Sequence, residues 1–200
     1  MPGTICTSAQ AYIAELTKIL GQVDPDGIEA FADLLFDAWK ENGQAFFFGN
    51  GGSASTASHH VLDIVKTASV EGQRYLRAFG MNDNIGILTA VGNDLDYSES
   101  FSFPLSAYSE AGDVAVAISC SGNSPNILRA CQLARERGLS VVALTGFAGG
   151  KVAALANVHI NIPSDNYGIV EDLHLSIGHM TAQILQAKIK AYIAEPIVAQ

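Results

Sequence analysis

Positive charge is scarce in this 200-residue chain: 11 Lys and Arg stand against 20 Asp and Glu, for a formal charge of −9. Bulk electrostatics therefore exclude nucleic acid as a partner, because a phosphate backbone needs a basic surface to meet it. Cysteine is also sparse. Cys6, Cys120 and Cys131 have neither CxxC nor disulfide-framework spacing, so they read as reduced thiols. No run is long and apolar enough for a membrane span, and no basic stretch leads into an apolar one as in a secretory leader. The expectation is a cytoplasmic protein with no membrane partner. Charged residues make up only 16% of the chain and hydrophobic ones 48%, which predicts a sizeable core with an apolar surface or large interfaces. Repeats, linkers and low-complexity stretches are missing as well, so a single domain is expected.

What is present concentrates in Ile118-Ser119-Cys120-Ser121-Gly122-Asn123-Ser124-Pro125-Asn126. The apolar run Val114–Ala117 precedes it and a helical pattern follows from Ile127. A strand, a hydroxyl-rich turn and a helix start thus sit in succession. The first N–H groups of a helix lack intrahelical partners and carry partial positive charge. With the hydroxyls of Ser119, Ser121 and Ser124 around Gly122, they make a cradle for a phosphate dianion. No lysine lies in the loop, which excludes the nucleotide-type P-loop and points to a small phosphorylated metabolite. The plainer alternative is an ordinary capped turn, since Ser and Asn are common caps. Cys120 reads as a buried bystander, because no base neighbours it in sequence.

The remaining pattern is regular. Tyr12, Ile13, Leu16, Ile19 and Leu20 recur at helical spacing, and Asp24-Pro25 caps a second helix whose apolar groups from Ile28 to Trp39 cover more than one face. Such a helix is usually buried, here against another subunit. Strands are predicted at Ala45–Phe48, Tyr75–Phe79, Asp113–Ser119, Ser140–Thr145 and Val158–Ile162. Helices are predicted at Ser53–Lys66, Asn84–Val91, Tyr97–Tyr108, Pro125–Arg137 and from Gly168 to about Tyr192, with a short one ending at Leu155. This alternation implies an α/β fold on a parallel sheet, with ligands beyond the carboxyl ends of the strands. Three polar turns fall there: Asn50–Ser53, Ser119–Ser124 and Ser164–Asn166. The division is an N-terminal helical extension over 1–42, serving oligomerisation, and a catalytic domain over 43–195.

Two separated segments, Phe48–His59 and Ala117–Ala130, together resemble the sugar isomerase (SIS) superfamily and within it the phosphoheptose isomerase group. Thr89–Asp94, Val142–Gly146 and His174–His179 add to the match, which runs from about Phe46 to Leu185. The resemblance implies a single SIS-type domain with a five-stranded parallel sheet flanked by helices, assembled as a homotetramer. It implies conversion of sedoheptulose 7-phosphate to D-glycero-D-manno-heptose 7-phosphate through an enediolate, in heptose supply for surface polysaccharide. It implies one divalent metal per subunit, zinc for choice, held by His59, Asp63, Glu171 and His179, with Asp63 as base and His179 as acid. Substrate-binding positions carried over by it are Asn50, Gly51, Gly52, Ser53, Asn93, Asp94, Ser119, Cys120, Ser121, Ser124 and Glu171.

The chain departs from the family at two of the four metal positions. Asp63 stands where the family has glutamate, one methylene shorter, and Glu171 stands where it has glutamine. Elementary geometry supports the first pair, since i,i+4 spacing puts His59 and Asp63 on one helix face. Glu171 and His179 differ in direction by roughly 80° at 3.6 residues per turn. Asp172, seven residues before His179, is the spare ligand. His60 adjoins His59, so only one of them can face the site, and His174 serves in helix packing or behind the ligands. Two alternatives stand beside the heptose reading. One is an isomerase acting on another ketose phosphate, which the departures permit. The other is a non-catalytic SIS tetramer binding a protein partner of the replication-initiator type.

Overall fold

The computed structural model describes residues 4–194. Two helices open it, α1 (Ala9–Leu20) and α2 (Pro25–Lys40), and both start where the cap chemistry dictates. Ser8 Oγ accepts from the Ala11 N–H (3.1 Å), and Asp24 Oδ1 accepts from the Asp26 N–H (3.0 Å) with Pro25 at the first helical position. There follow β1 (Gln44–Gly49), α3 (Gly52–Leu62), β2 (Arg77–Gly80), α4 (Ile85–Asp94), α5 (Ser102–Tyr108), β3 (Val114–Ser119), α6 (Pro125–Glu136), β4 (Ser140–Thr145), β5 (Val158–Asn161) and α7 (Tyr167–Ala194).

All five strands are parallel, in the order β2-β1-β3-β4-β5. The chain moves outward from β1 to β2, then returns to the other side of β1 to lay down β3. The direction of winding therefore switches between β1 and β3, and the crevice beyond their carboxyl ends is where such sheets bind ligands. The two turns that open onto it are Asn50–Ser53 and Ser119–Ser124. Alternate strand residues face opposite layers. Phe47, Val116, Ile118 and Leu144 join a core with α2, α3 and α7, while Phe46, Phe48, Ala115 and Val141 join one with α5 and α6. Burial on both faces is why these strands read as continuous apolar runs.

Four local features differ from the sequence pattern. The helix expected over 53–66 is α-helical only to Leu62; Asp63–Thr67 winds as a π-turn, with the Ala68 N–H bonded to the Asp63 carbonyl (2.9 Å). Helix α4 continues through Gly92, Asn93 and Asp94, which form its last turn, because the Leu95 N–H still reaches the Val91 carbonyl (3.0 Å). The helix expected over 97–108 breaks. Asp96 caps a 3-10 turn at Tyr97–Glu99, and α5 starts anew so that Pro104 falls in its first turn, where a missing N–H costs nothing. Finally, α2 needs no second subunit to cover it. Phe31, Leu35 and Trp39 are buried within the chain, in one core with Phe47 and Leu185, and the Trp39 indole donates to the Arg74 carbonyl (2.9 Å). Among the described residues no helix is long and apolar enough to cross a membrane.

The packing of α3 on α7 turns on one contact. The His60 ring is 1% exposed and lies against Gly178, where a Cβ would overlap it. Its Nε2–H donates to the His174 carbonyl (2.9 Å), and the His174 Nε2–H donates in turn to the Thr145 carbonyl (3.0 Å). Burial lowers both imidazoles to about 4, so both are neutral wedges. Gly178→Ala tests this. Alanine adds roughly 1 kcal/mol of helix propensity, but the overlap costs about 1–3 kcal/mol. The expected outcome is a lower urea midpoint, with His60→Ala in the same chain relieving part of the loss in a double-mutant cycle. Equal or higher stability of Gly178→Ala would show that the ring does not set the helix spacing.

Candidate active site

The switch-point crevice holds a cavity of about 160 Å³ lined by Asn50, Ser53, Ile118, Ser119, Cys120, Ser121, Ser124, Tyr167 and Glu171. Two helices begin at it, α3 at Gly52 and α6 at Pro125. Neither start is satisfied by a side chain: Gly51 and Ser124 occupy the cap positions without a side-chain cap bond. The Ser124 hydroxyl is thus not spent on capping its own helix. Ser119 Oγ accepts from the Gly122 N–H (3.2 Å) and Ser121 Oγ from the Asn123 N–H (3.3 Å), which leaves their protons free to donate to an anion. Asn50 is more committed. Its amide pairs reciprocally with Asn126 (2.9 Å each way) and ties the β1 turn to α6. Burial, then the charge of Glu171, pushes the Cys120 thiol up to about 11. It is no nucleophile at neutral pH.

Further along α3 lies a second cluster. One ligand atom each from His59, Asp63 and His179 fall within 4.8 Å of one another. Both rings are partly exposed, at 41% and 46%, whereas the Asp63 side chain is only 9% exposed. Asp63 Oδ1 accepts from the Thr67 hydroxyl (3.2 Å). Asp63 Oδ2 lies 2.8 Å from His179 Nδ1 and 3.8 Å from His59 Nε2, yet no donor is aligned on it as a hydrogen bond. A buried carboxylate oxygen left this way costs free energy unless a cation completes it. Two imidazoles and a carboxylate with an open direction are also the donor set of catalytic zinc sites. The residues present therefore fit a divalent metal.

Glu171 stands apart from these three. It lies in the wall of the switch-point cavity, its carboxylate over Gly52 so closely that a Cβ there would overlap it. Burial, then the neighbouring Asp172, raises its pKa. Asp172 is not a spare ligand either, because the Tyr12 hydroxyl donates to its Oδ2 (2.6 Å), an α1–α7 tie that the sequence does not disclose. Asn93 and Asp94 are exposed in the last turn of α4, bonded to each other (2.7 Å), and do not line the cavity. Sequence reasoning missed Tyr167 in the cavity wall and Thr67 behind Asp63. Only Thr67 left a trace, its i+4 spacing from Asp63. A larger cavity of about 750 Å³ lies along the β2 edge, lined largely by apolar groups such as Phe79, Met81, Ile85 and Ile87. It holds none of the three clustered ligands.

The SIS domain family model matches residues 11–146. The chain is 36% identical over 180 residues to the phosphoheptose isomerase of Citrifermentans bemidjiense, covering 90% of this chain and 93% of that one. It is 37% identical over 177 residues to the lincomycin biosynthesis protein LmbN of Streptomyces lincolnensis, covering 84% of this chain and 64% of the relative. Among solved structures, phosphoheptose isomerase GmhA from Neisseria gonorrhoeae superposes with a TM-score of 0.81 at 31% identity, over 88% of this chain and 96% of that one. A family model spanning most of the chain, and relatives this similar over nearly all of it, mean that the chain belongs to the SIS domain family, within its phosphoheptose isomerase group.

Proposed function

We propose that this isomerase interconverts a ketose phosphate and an aldose phosphate, with sedoheptulose 7-phosphate and D-glycero-D-manno-heptose 7-phosphate as the pair. The observation that carries the reading is the pairing of two clusters along one helix. A hydroxyl cradle suited to phosphate meets α3 at Ser53, and His59, six residues further on, lies with its Nε2 3.8 Å from Asp63 Oδ2, which also meets His179 Nδ1 at 2.8 Å. Six residues of α-helix span about 9 Å. An extended seven-carbon chain covers a comparable length, so a phosphate at one end leaves the carbonyl end beside His59, whose Nε2 lies 3.8 Å from Asp63 Oδ2.

The chemistry needs a base, an acid and stabilisation of the oxygen that becomes anionic. Asp63 is the base, a buried carboxylate with Oδ2 between the His59 and His179 rings. It takes the proton from the carbon beside the carbonyl and returns it to the neighbouring carbon, which converts ketose to aldose with no net change in atoms. His179, whose Nδ1 faces the same oxygen, holds or releases the proton exchanged with the substrate oxygen. His59, Asp63 and His179 would hold a divalent metal, zinc for choice, and such an ion supplies Lewis-acid stabilisation of the developing oxyanion. The Ser119, Ser121 and Ser124 hydroxyls and the two helix starts bind the phosphate.

A second reading, another ketose phosphate, is favoured by one observation: the Glu171 carboxylate sits in the cradle wall. Incubation with C5 to C8 ketose phosphates, read by NMR with and without added zinc, separates the two readings. The heptose reading fails if sedoheptulose 7-phosphate is left unconverted while another ketose turns over. The base assignment is tested by two shape-keeping variants. Asp63→Asn should lose at least about a hundredfold in turnover, whereas Glu171→Gln should keep turning over with a changed KM. The reverse outcome would move the base to Glu171.

Two further outcomes follow from the same reading. Ser121→Ala or Ser124→Ala should raise KM with little effect on stability, since each hydroxyl bond to a charged phosphate contributes on the order of 1.5–3 kcal/mol; an unchanged KM in both removes the phosphate from the loop. Assembly as a homotetramer is also proposed. Phe79, Ile85 and Tyr108 line the β2-edge cavity and are exposed, an apolar surface that needs a cover. Light scattering at micromolar concentration should give four chains per particle, and a monomer would contradict it.

A further inference from the structure

The phosphate cradle contains hydroxyls, backbone and one carboxylate, but no cation. For a dianion entering a chain of charge −9 beside Glu171, that is an incomplete site. The tertiary structure adds what the loop lacks. A second cavity of about 560 Å³ adjoins the first, and the two share Ser121 and Tyr167. Lys151 stands in the wall of the second cavity, and it is the only Lys or Arg lining either. It comes from the turn after β4, 27 residues past Ser124 in the chain.

That turn is locked onto the serine loop. The Lys151 N–H donates to Asn123 Oδ1 (3.0 Å), the Asn123 side-chain amide donates to the Ser121 carbonyl (2.8 Å), and the Val152 N–H donates to the Gly122 carbonyl (3.0 Å). The two backbones run so close that a Cβ on Gly150 would overlap the Ser121 carbonyl. The remaining wall is equally determined. Phe147 is held at φ 52°, costly for a bulky residue, by its N–H bond to the Ser164 carbonyl (2.9 Å) and by the Asn161 side-chain amide on its own carbonyl (3.3 Å). Its ring packs edge-on against Tyr167 at 5.0 Å. Among the described residues no salt bridge engages the Lys151 ammonium; it shares this with six other Lys and Arg, but it alone of them lines either cavity.

We propose that Lys151 is a phosphate-binding residue of this isomerase, its ammonium meeting from the adjoining cavity the anionic end of the ligand that the serine loop holds. The proposal rests on the reading of that loop as the phosphate cradle. A charge-assisted bond is stronger than a neutral one. A fixed cation at the mouth also offsets the acidic field that an incoming dianion must cross.

The test is calorimetric binding of inorganic phosphate to the full-length protein, at about 0.02 M and 0.2 M salt, where screening lengths differ by roughly threefold. Lys151→Met should weaken binding roughly tenfold or more at low salt, the scale of a bond to a charged group, and flatten the salt dependence. Lys151→Arg should restore most of both. If Lys151→Met binds phosphate as the parent does while Ser121→Ala loses it, the cradle stands and Lys151 is no part of it. If neither variant changes binding, the cradle reading itself fails, and this proposal with it.

Discussion

The His60 ring fills the notch left by Gly178, and that contact sets how closely α3 and α7 run side by side. Asp63 sits three residues beyond His60 and His179 one beyond Gly178. The spacing of the two helices therefore determines whether the buried carboxylate meets its imidazole. The same pair of helices carries the other half of the site, with Gly52 on α3 beneath Glu171 on α7. Packing and chemistry are thus one problem: an error of about 1 Å in helix spacing is large on the scale that catalysis tolerates.

The electrostatic design is economical in cations. The cavity at the switch point is lined by hydroxyls and two helix starts, whose partial positive charges are fixed by the backbone. Glu171 then stands as an unusual element, a carboxylate at the N-terminal end of α3 and beside the cradle. Its raised pKa, from burial first and Asp172 second, marks the cost of keeping that charge there. Asp172 is held by Tyr12, whose hydroxyl is pushed up to about 12 by burial and then by that bond. Helix α1 thereby braces the start of α7.

Much of the fold was legible because local chemistry and tertiary packing agree. Asp24-Pro25 started α2, Gly138 closed α6, and the doubly buried strands read as apolar runs. Legibility failed where long-range contacts overrode the local pattern. The π-turn at Asp63 was not separable from the helix before it in the sequence pattern, yet Asp63 lies at its start and is bonded to Thr67 within it. The Gly92–Asp94 stretch looks like a turn, but the helix runs through it and leaves Asn93 and Asp94 in solvent. The broad apolar surface of α2 pointed to a neighbouring subunit, whereas Phe31, Leu35 and Trp39 pack into the chain's own core, and pattern alone cannot tell these apart.

By itself the sequence determined the alternation of strands and helices, the serine loop at a helix start, and the i,i+4 pairing of His59 with Asp63, because each is a property of residues within a few positions of one another. Which of the distant side chains met was decided only by the tertiary structure. His179 reached Asp63, Glu171 went to the serine loop and not to the imidazoles, Asp172 was taken by Tyr12, and Lys151 was carried to the edge of that loop. The physical reason is that side-chain direction over several helical turns depends on the crossing and separation of helices. Those are set here by the strand order and by the fit of one histidine ring against one glycine.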